Sequence, residues 1–220
     1  MGARVRVKIC CISSVEEARL AVRHGADALG LVSHMPSGPG VIGDDLIRDI
    51  AAHVPPPVAT FLLTSRSDVD AIVEQQRHCR VTTLQLVDAL AEGSHARLRK
   101  ALPGIGIVQV IHVRGPEAIE EARACAEHVD ALLLDSGNPS LAVKELGGTG
   151  RTHNWDISRK LVDSVPVPVF LAGGLKPDNA GDAIARVRPF GLDLCSGVRT
   201  DDKLDEAKLR AFMQAVRGAA

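Results

Sequence analysis

The chain contains few aromatic residues and no long apolar run. Its 220 residues include four Phe, one Trp and no Tyr, so we expect a core built from aliphatic side chains and alanine. No apolar run approaches the about 18 residues that a membrane span needs. The first residues also lack the apolar stretch of a signal peptide. We therefore expect a cytoplasmic protein without a membrane segment.

Charge, cysteine and histidine usage exclude further classes. The formal net charge is −1 and both signs are mixed along the chain, so we expect no nucleic-acid partner. The five cysteines form no CxxC pair, which favours reduced thiols over a disulfide framework. The histidines show no HxH or HExxH spacing. The sequence therefore predicts no bound metal.

Short apolar runs alternate with helical segments along the chain. Strands are predicted over residues 5–10, 28–32, 58–63, 82–87, 106–113, 131–135, 167–172 and 191–195. Helices are predicted from Ser14 to about Gly25 and over residues 44–53, 67–76, 95–101, 116–128, 154–163, 177–187 and 205–216. Eight such units without a linker predict one α/β domain over residues 1–220, a (β/α)8 TIM barrel. An open doubly wound sheet is the alternative.

Several residues are expected to mark helix starts. Ser14 and Glu17 fit a capping box at the first helix, and Ser67 is expected to cap the third. Pro116 is expected in the first turn of the fifth helix. Asp178 is expected to cap the seventh.

In such a barrel, the chemistry belongs at the carboxyl ends of the strands. Cys10 and Asp135 stand at two of these ends and both carry protons. Each also has a plain structural interpretation, as a buried small hydrophobe or as a turn residue. Glycines follow the last two strands at 173–174 and 197, where backbone N–H groups can hold a phosphate. The alternative for Gly173 and Gly174 is a tight turn only.

Five motifs carry a resemblance to a known family. They are VKIC at 7–10, LLLD at 132–135, GGTGRTHNW at 147–155, LAGGLKPDN at 171–179 and LDLCSGV at 192–198. In order and spacing they resemble phosphoribosylanthranilate isomerase, a family of the tryptophan pathway. The resemblance implies no cofactor, a phosphorylated small-molecule substrate, and an Amadori rearrangement of an aminoaldose phosphate to an aminoketose phosphate. It implies an aldose–ketose isomerase that is a monomer or a homodimer.

Carried over by position, Cys10 is the general base and Asp135 the general acid. Phosphate binding is carried over to the backbone at Gly148, Thr149, Gly150, Gly173, Gly174, Ser196 and Gly197. Lys8 lies two residues before Cys10 on the same strand face, so its charge is expected to lower the pKa of that thiol. Further candidates for substrate contact are Gln85, His34 and Arg151.

The chain departs from the family pattern at the aglycone end. Cys11 replaces a glycine, Gly40 stands where an arginine would receive the anthranilate carboxylate, and Val87 replaces a histidine. Asp88, which follows, would suit an anionic aglycone poorly if it points into the mouth. Two alternatives therefore stay open beside the isomerase: a paralogous enzyme for a different phosphorylated aminosugar, and a non-catalytic phosphate-ligand binding protein.

The remaining cysteines receive a structural interpretation from the sequence. Cys79, Cys125 and Cys195 are expected to be core or structural thiols.

Overall fold

The chain forms a closed barrel of parallel strands. The structure, a computed structural model, describes residues 4–141, 143–144, 146 and 153–219. Over these residues eight strands pair in chain order, and the last pairs with the first. The strands are β1 Arg6–Ile9, β2 Ala28–Val32, β3 Ala59–Thr64, β4 Thr83–Leu86, β5 Gly106–His112, β6 Ala131–Asp135, β7 Val169–Leu171 and β8 Gly191–Leu194. The predicted (β/α)8 barrel is confirmed, and the open sheet is wrong.

Each strand is followed by a helix on the outside of the barrel. The helices are α1 Val15–Arg23, α2 Asp44–Ala52, α3 Val69–Cys79, α4 Ser94–Ala101, α5 Ala118–Ala126, α6 Trp155–Ser164, α7 Ala180–Val187 and α8 Glu206–Gly218. A short antiparallel ribbon, Arg199–Thr200 with Lys203–Leu204, precedes α8. Among the residues that the structure describes, no helix is both long enough and apolar enough to cross a membrane.

The core has two parts because neighbouring residues of a strand face opposite sides of the sheet. In β5, Ile107 and Ile111 belong to the layer between strands and helices. Val108 and Val110 belong to the cluster inside the barrel. This alternation turns every second residue at the carboxyl end of a strand towards the mouth of the barrel.

Pairing of the first and last strands closes the barrel, and its register fixes which residues of β1 and β8 lie side by side at the site. Lys8 lies opposite Asp193, and Ile9 lies opposite Leu194. The amide of Cys10 continues the ladder by donating to the Leu194 carbonyl at 2.8 Å. Residues almost a whole chain length apart thereby meet at one seam.

Three of the expected helix starts are wrong. Asp68 caps α3 by accepting from the Ala71 amide at 2.8 Å, so the carboxylate one residue after Ser67 takes the cap position. Pro116 precedes α5. A 3₁₀ turn, Pro177–Asn179, comes before α7, and the exposed Asp178 makes no cap there.

The start of α1 is as predicted in part. Ser14 accepts from the Glu17 amide at 3.1 Å. The Glu17 carboxylate does not complete the capping box, because it binds the Ser13 amide and the Arg199 guanidinium instead.

Substitutions of two neighbouring residues of α2 test how this helix packs against the barrel. Ile47 is fully buried, whereas Leu46 is 37% exposed. We expect Ile47→Ala to cost about 2–5 kcal/mol of the free energy of unfolding, because it removes apolar contacts and leaves a cavity. Leu46→Ala is the matched control and should cost much less. Urea unfolding of both variants measures this, and equal losses would contradict the packing of α2.

Candidate active site

A cavity of about 740 Å³ opens at the carboxyl ends of the strands. Its wall includes Cys10, Gln85, Asp135, Gly173 and Ser196, which follow or lie in five different strands. These are residues that the sequence singled out, and the fold brings them to one wall.

A buried ion pair lies at the seam of the barrel, and its acidic member, Asp193, also lines the cavity. Lys8 donates from Nζ to Asp193 Oδ1 at 2.8 Å, and both side chains are almost completely buried. Burial disfavours the charge of Lys8, but the adjacent Asp193 carboxylate outweighs it, so the pKa of Lys8 lies above its ordinary value. Lys8 therefore keeps its positive charge within the ion pair.

Gly30 of β2 allows two functional side chains to approach the strand closely. A Cβ at this position would lie 2.7 Å from Cys10 Sγ and 2.9 Å from Lys8 Nζ. Both distances are shorter than a carbon side chain tolerates, so any larger residue would displace one of the two groups. Lys8 and Cys10 therefore share one face of β1, as the sequence predicted.

The surroundings of Cys10 favour its thiolate. The adjacent Cys11 thiol contributes most to the lowering of its pKa; burial and the Asp193 carboxylate oppose this, and the charge of Lys8 adds to it. The predicted effect of Lys8 is thus present. The larger effect comes from Cys11, which the sequence marks only as a departure from the family pattern.

The surroundings of Asp135 favour its protonated form. Burial raises the pKa of this carboxyl, while the Ser136 amide, which donates to Oδ1 at 2.7 Å, and His112 act in the opposite direction. Asp135 lies opposite His112 in the pairing of β5 with β6. His112 Nε2 lies 3.0 Å from the Val87 carbonyl. The carboxyl therefore holds its proton more strongly than an ordinary aspartate, a shift in the direction that a general acid requires.

Two glycine-containing turns lie side by side on the rim. Gly173 and Gly174 follow β7 with φ of 88° and 62°, a region that favours glycine. A Cβ on Gly197 would lie 2.0 Å from the Leu175 carbonyl oxygen, so the turn after β8 packs directly against the turn after β7. Gly173, Gly174 and Ser196 line the cavity.

The other predicted contact residues differ in their placement. Gln85 is buried on the cavity wall, and its Oε1 has no hydrogen-bond partner among the described atoms. His34 is exposed, and its carbonyl accepts from Ser65 Oγ at 2.8 Å; it is not among the residues that line the cavity. The predictions for Gly148, Thr149, Gly150 and Arg151 fall outside the described residues.

One steric exchange connects two departures from the family pattern, those at residues 11 and 40. Cys11 is buried in a left-handed conformation, with φ of 62°. A Cβ on Gly40 would lie 2.4 Å from Cys11 Cβ, so a side chain at residue 40 and one at residue 11 compete for the same space. Val87, a third departure, adds an apolar side chain to the wall of the cavity.

The structure also places Cys195 and Asp88. Cys195 packs against the apolar cluster inside the barrel, as expected, and it also lines the cavity and contacts Cys11. Asp88 is not among the residues that line the cavity, and it forms an ion pair with Lys144. Cys79 is buried in the core, as expected, and Cys125 lies half-buried on α5. No local sequence pattern indicates that Cys195 contacts Cys11, since this contact depends on the closure of the barrel.

Within the described parts of the chain, no group of three or more His, Cys, Asp or Glu side chains has the arrangement of a metal site. The fold and the cavity define a (β/α)8 barrel whose cavity is lined by a carboxyl group, thiols and a glycine-containing rim. Comparison with known proteins makes this assignment specific.

The model of the N-(5'-phosphoribosyl)anthranilate isomerase family matches residues 7–215, and the chain belongs to this family. It is thus an aldose–ketose isomerase. The chain is 36% identical to the isomerase of Methanocella arvoryzae, covering 96% of this chain and 98% of that protein. It is 37% identical to isomerase 2 of Methanosarcina mazei, covering 97% and 94%.

Solved structures agree with this assignment. The phosphoribosylanthranilate isomerase of Thermotoga maritima superposes with a TM-score of 0.83 at 28% identity, covering 97% of this chain and 99% of that one. A second isomerase structure, in complex with reduced 1-(o-carboxyphenylamino)-1-deoxyribulose 5-phosphate, gives a TM-score of 0.81 at 26% identity, with 97% and 99% coverage.

Removal of the buried lysine tests the electrostatics of Cys10. We expect Lys8→Met to move the alkylation of Cys10 by iodoacetamide to higher pH, because a positive charge beside the thiolate is lost. Lys100→Met, at an exposed position of α4, is the control and should leave the alkylation profile unchanged. An unchanged pH midpoint in a folded variant would contradict the role of Lys8.

Replacement of the buried acid tests its effect on stability. The folded-state pKa of Asp135 is raised, so the folded chain loses stability as pH rises from the ordinary carboxyl pKa through the raised one. Asp135→Asn should therefore raise the free energy of unfolding by about 1–2 kcal/mol at pH values above the raised pKa. At pH values below the ordinary carboxyl pKa it should leave the free energy of unfolding unchanged. Asp178→Asn, at an exposed carboxylate, should show no such pH-dependent gain. Urea midpoints across pH measure both, and a gain that shrinks with rising pH would refute the assignment.

Proposed function

We propose that this chain catalyses the Amadori rearrangement of N-(5'-phosphoribosyl)anthranilate, with Cys10 as the general base and Asp135 as the general acid. The single observation that supports these roles most strongly is the opposite tuning of the two groups on one cavity wall. The pKa of the thiol is lowered, and the pKa of the carboxyl is raised. The lowered pKa favours a base without its proton, and the raised pKa favours an acid with one.

The substrate enters with its phosphate on the glycine-containing rim. The backbone N–H groups around Gly173, Gly174 and Ser196 donate hydrogen bonds to the phosphate oxygens. Gly197 allows the two turns to pack closely against each other. Gly148, Thr149 and Gly150 complete this site in the proposal, as the family pattern implies. A fixed phosphate then places the sugar between the ends of β1 and β6.

The rearrangement proceeds through two proton transfers. Asp135 donates its proton to the ring oxygen, the ring opens, and the aryl nitrogen forms a Schiff base with the former anomeric carbon. This makes the proton on the neighbouring carbon acidic, and the Cys10 thiolate removes it. The enamine that results tautomerises to the aminoketose phosphate.

The remaining polar groups position the substrate and hold charge. The unpartnered amide oxygen of Gln85 is suited to accept from a sugar hydroxyl, and Lys8 keeps positive charge beside the thiolate. Arg151 and His34 stay candidates for contact with the outer part of the substrate.

The proposed setting of this enzyme follows from its chemistry. A catalytic thiol requires a reducing compartment, so we propose the cytoplasm. A monomer and a homodimer both remain proposed states, because a solved relative from Thermotoga maritima is a monomeric form generated from a dimeric isomerase.

Single substitutions at the two proposed catalytic groups test the mechanism. We expect Cys10→Ala and Asp135→Ala each to lower kcat by about 10²-fold to 10⁴-fold, the usual effect of removing one acid or base. Cys125→Ala, which removes a thiol from α5 outside the barrel, should keep full activity. Turnover is followed as loss of freshly made phosphoribosylanthranilate.

The two variants separate the outcomes. If either retains full turnover, the role of that residue is wrong. If the unchanged chain binds sugar phosphates without turning over phosphoribosylanthranilate, the proposed substrate is wrong.

A further inference from the structure

Three thiols meet at the floor of the cavity. Cys10, Cys11 and Cys195 all line its wall, and all three are free cysteines. We call them the thiol cluster. Cys10 and Cys195 follow paired positions of β1 and β8, since the Cys10 amide donates to the Leu194 carbonyl. The closing seam of the barrel therefore brings two thiols together from opposite ends of the chain.

Cys11 joins the cluster because its backbone leaves the strand conformation. Successive residues of a strand point to opposite faces, which would turn Cys11 away from Cys10. The left-handed conformation of Cys11, with φ of 62°, turns its side chain to the same cavity. Its thiol interacts with the thiols of both Cys10 and Cys195. Cys11 is thus the central member of the thiol cluster.

The position of Cys11 is fixed from three sides. Gly40 leaves room for its Cβ, and its Sγ lies 3.7 Å from the Pro39 carbonyl oxygen. The guanidinium of Arg199 donates to the Cys11 carbonyl and is itself held by Glu17. A thiol held in this way stays within reach of its two neighbours.

The cluster combines the features of a redox-active thiol site. The charge of Lys8 lies beside Cys10 and, against the opposing effect of Asp193, promotes the thiolate that reacts with peroxides. The neighbouring thiols and burial raise the pKa of Cys11, so Cys11 is the protonated partner. The cavity gives a small oxidant access to the sulfur atoms. A second thiol beside the reactive one offers a partner for disulfide formation.

We propose that the thiol cluster is a modification site for hydroperoxides, in which Cys10 is oxidised and Cys11 resolves the product as a disulfide. This rests on the proposed function only in taking Cys10 as the reactive thiolate of the site.

The chemistry proceeds in two balanced steps. The Cys10 thiolate attacks one oxygen of hydrogen peroxide; an S–O bond forms, the O–O bond breaks, and hydroxide leaves and becomes water on protonation. The Cys11 sulfur then attacks the sulfur of the Cys10 sulfenic acid, and an S–S bond forms. Water leaves, carrying the hydroxyl oxygen and the Cys11 proton. Cys195 can next attack Cys11 by thiol exchange, giving a Cys11–Cys195 disulfide and a free Cys10 thiolate.

Both disulfides contain Cys11, and both are reversed by a thiol reductant. Without Cys11, a sulfenic acid on Cys10 is open to further oxidation to sulfinic and sulfonic acids, which thiols do not reverse. The thiol cluster therefore protects the catalytic thiol from permanent loss.

Treatment of the full chain with hydrogen peroxide tests the proposal. Trypsin places Cys10 and Cys11 in one peptide, residues 9–19, and Cys195 in another, residues 187–199. Mass spectrometry should find a disulfide within residues 9–19 or a cross-link between the two peptides, removed by dithiothreitol. Isomerase activity lost during a limited exposure should return with the reductant.

Two substitutions of the central thiol sharpen the test. Cys11→Gly suits the left-handed conformation of this position, and Cys11→Ser keeps the size of the side chain. In both variants we expect sulfinic or sulfonic acid on Cys10, and activity that dithiothreitol does not restore. Oxidation should be slower in Cys11→Gly, because this variant also loses the neighbour that lowers the pKa of Cys10. Cys125→Ser, outside the cavity, is the control and should behave as the unchanged chain.

Other results overturn the proposal. It is wrong if the unchanged chain accumulates sulfinic acid on Cys10 without any Cys11 disulfide, or if the Cys11 variants recover as fully as the unchanged chain. It is also wrong if Cys125 oxidises faster than the thiol cluster. Mass spectrometry reports the thiols independently of turnover, so a Cys10→Ala variant that stays active would reject the proposed base without deciding the redox chemistry.

Discussion

The site depends on a single buried contact, the ion pair between Lys8 and Asp193 at the seam of the barrel. Removing two charges from water costs several kcal/mol for each ion, and their mutual attraction offsets this only at close range. The pair forms because β1 and β8 are held in register by barrel closure. The charge of Lys8 therefore comes to lie beside the Cys10 thiolate only in the completely folded barrel.

Two glycines extend this constraint to the neighbouring strands. Gly30 of β2 allows the ends of Lys8 and Cys10 to occupy one small space, and Gly40 leaves room for the side chain of Cys11. The absence of an arginine at residue 40 and the presence of a cysteine at residue 11 thus form one structural change. This change leaves residue 40 without a side chain and places a second thiol beside Cys10.

Much of the fold and part of the site could be predicted from the sequence. β2 and β6 have the predicted bounds, because their apolar runs are sharply delimited. The positions of Cys10 and Asp135 followed from counting strand ends. The predicted cap was wrong where two adjacent polar residues compete for one N-cap position, as Ser67 and Asp68 do at α3. Cys195 could not be recognised, because its neighbour Cys11 reaches it only through a left-handed backbone and the closure of the barrel.

The pKa values of the acid and the base we propose move in opposite directions although both groups are buried. Burial raises the pKa of both groups, since each is charged when deprotonated. Asp135 has one amide donor beside it, which does not overcome burial. Cys10 has the Cys11 thiol and the charge of Lys8, which do. The difference between the two groups therefore lies in the donors and charges that each one faces, and Cys11 contributes the larger part of it. A residue that departs from the family pattern thus strengthens the property on which the proposed chemistry depends.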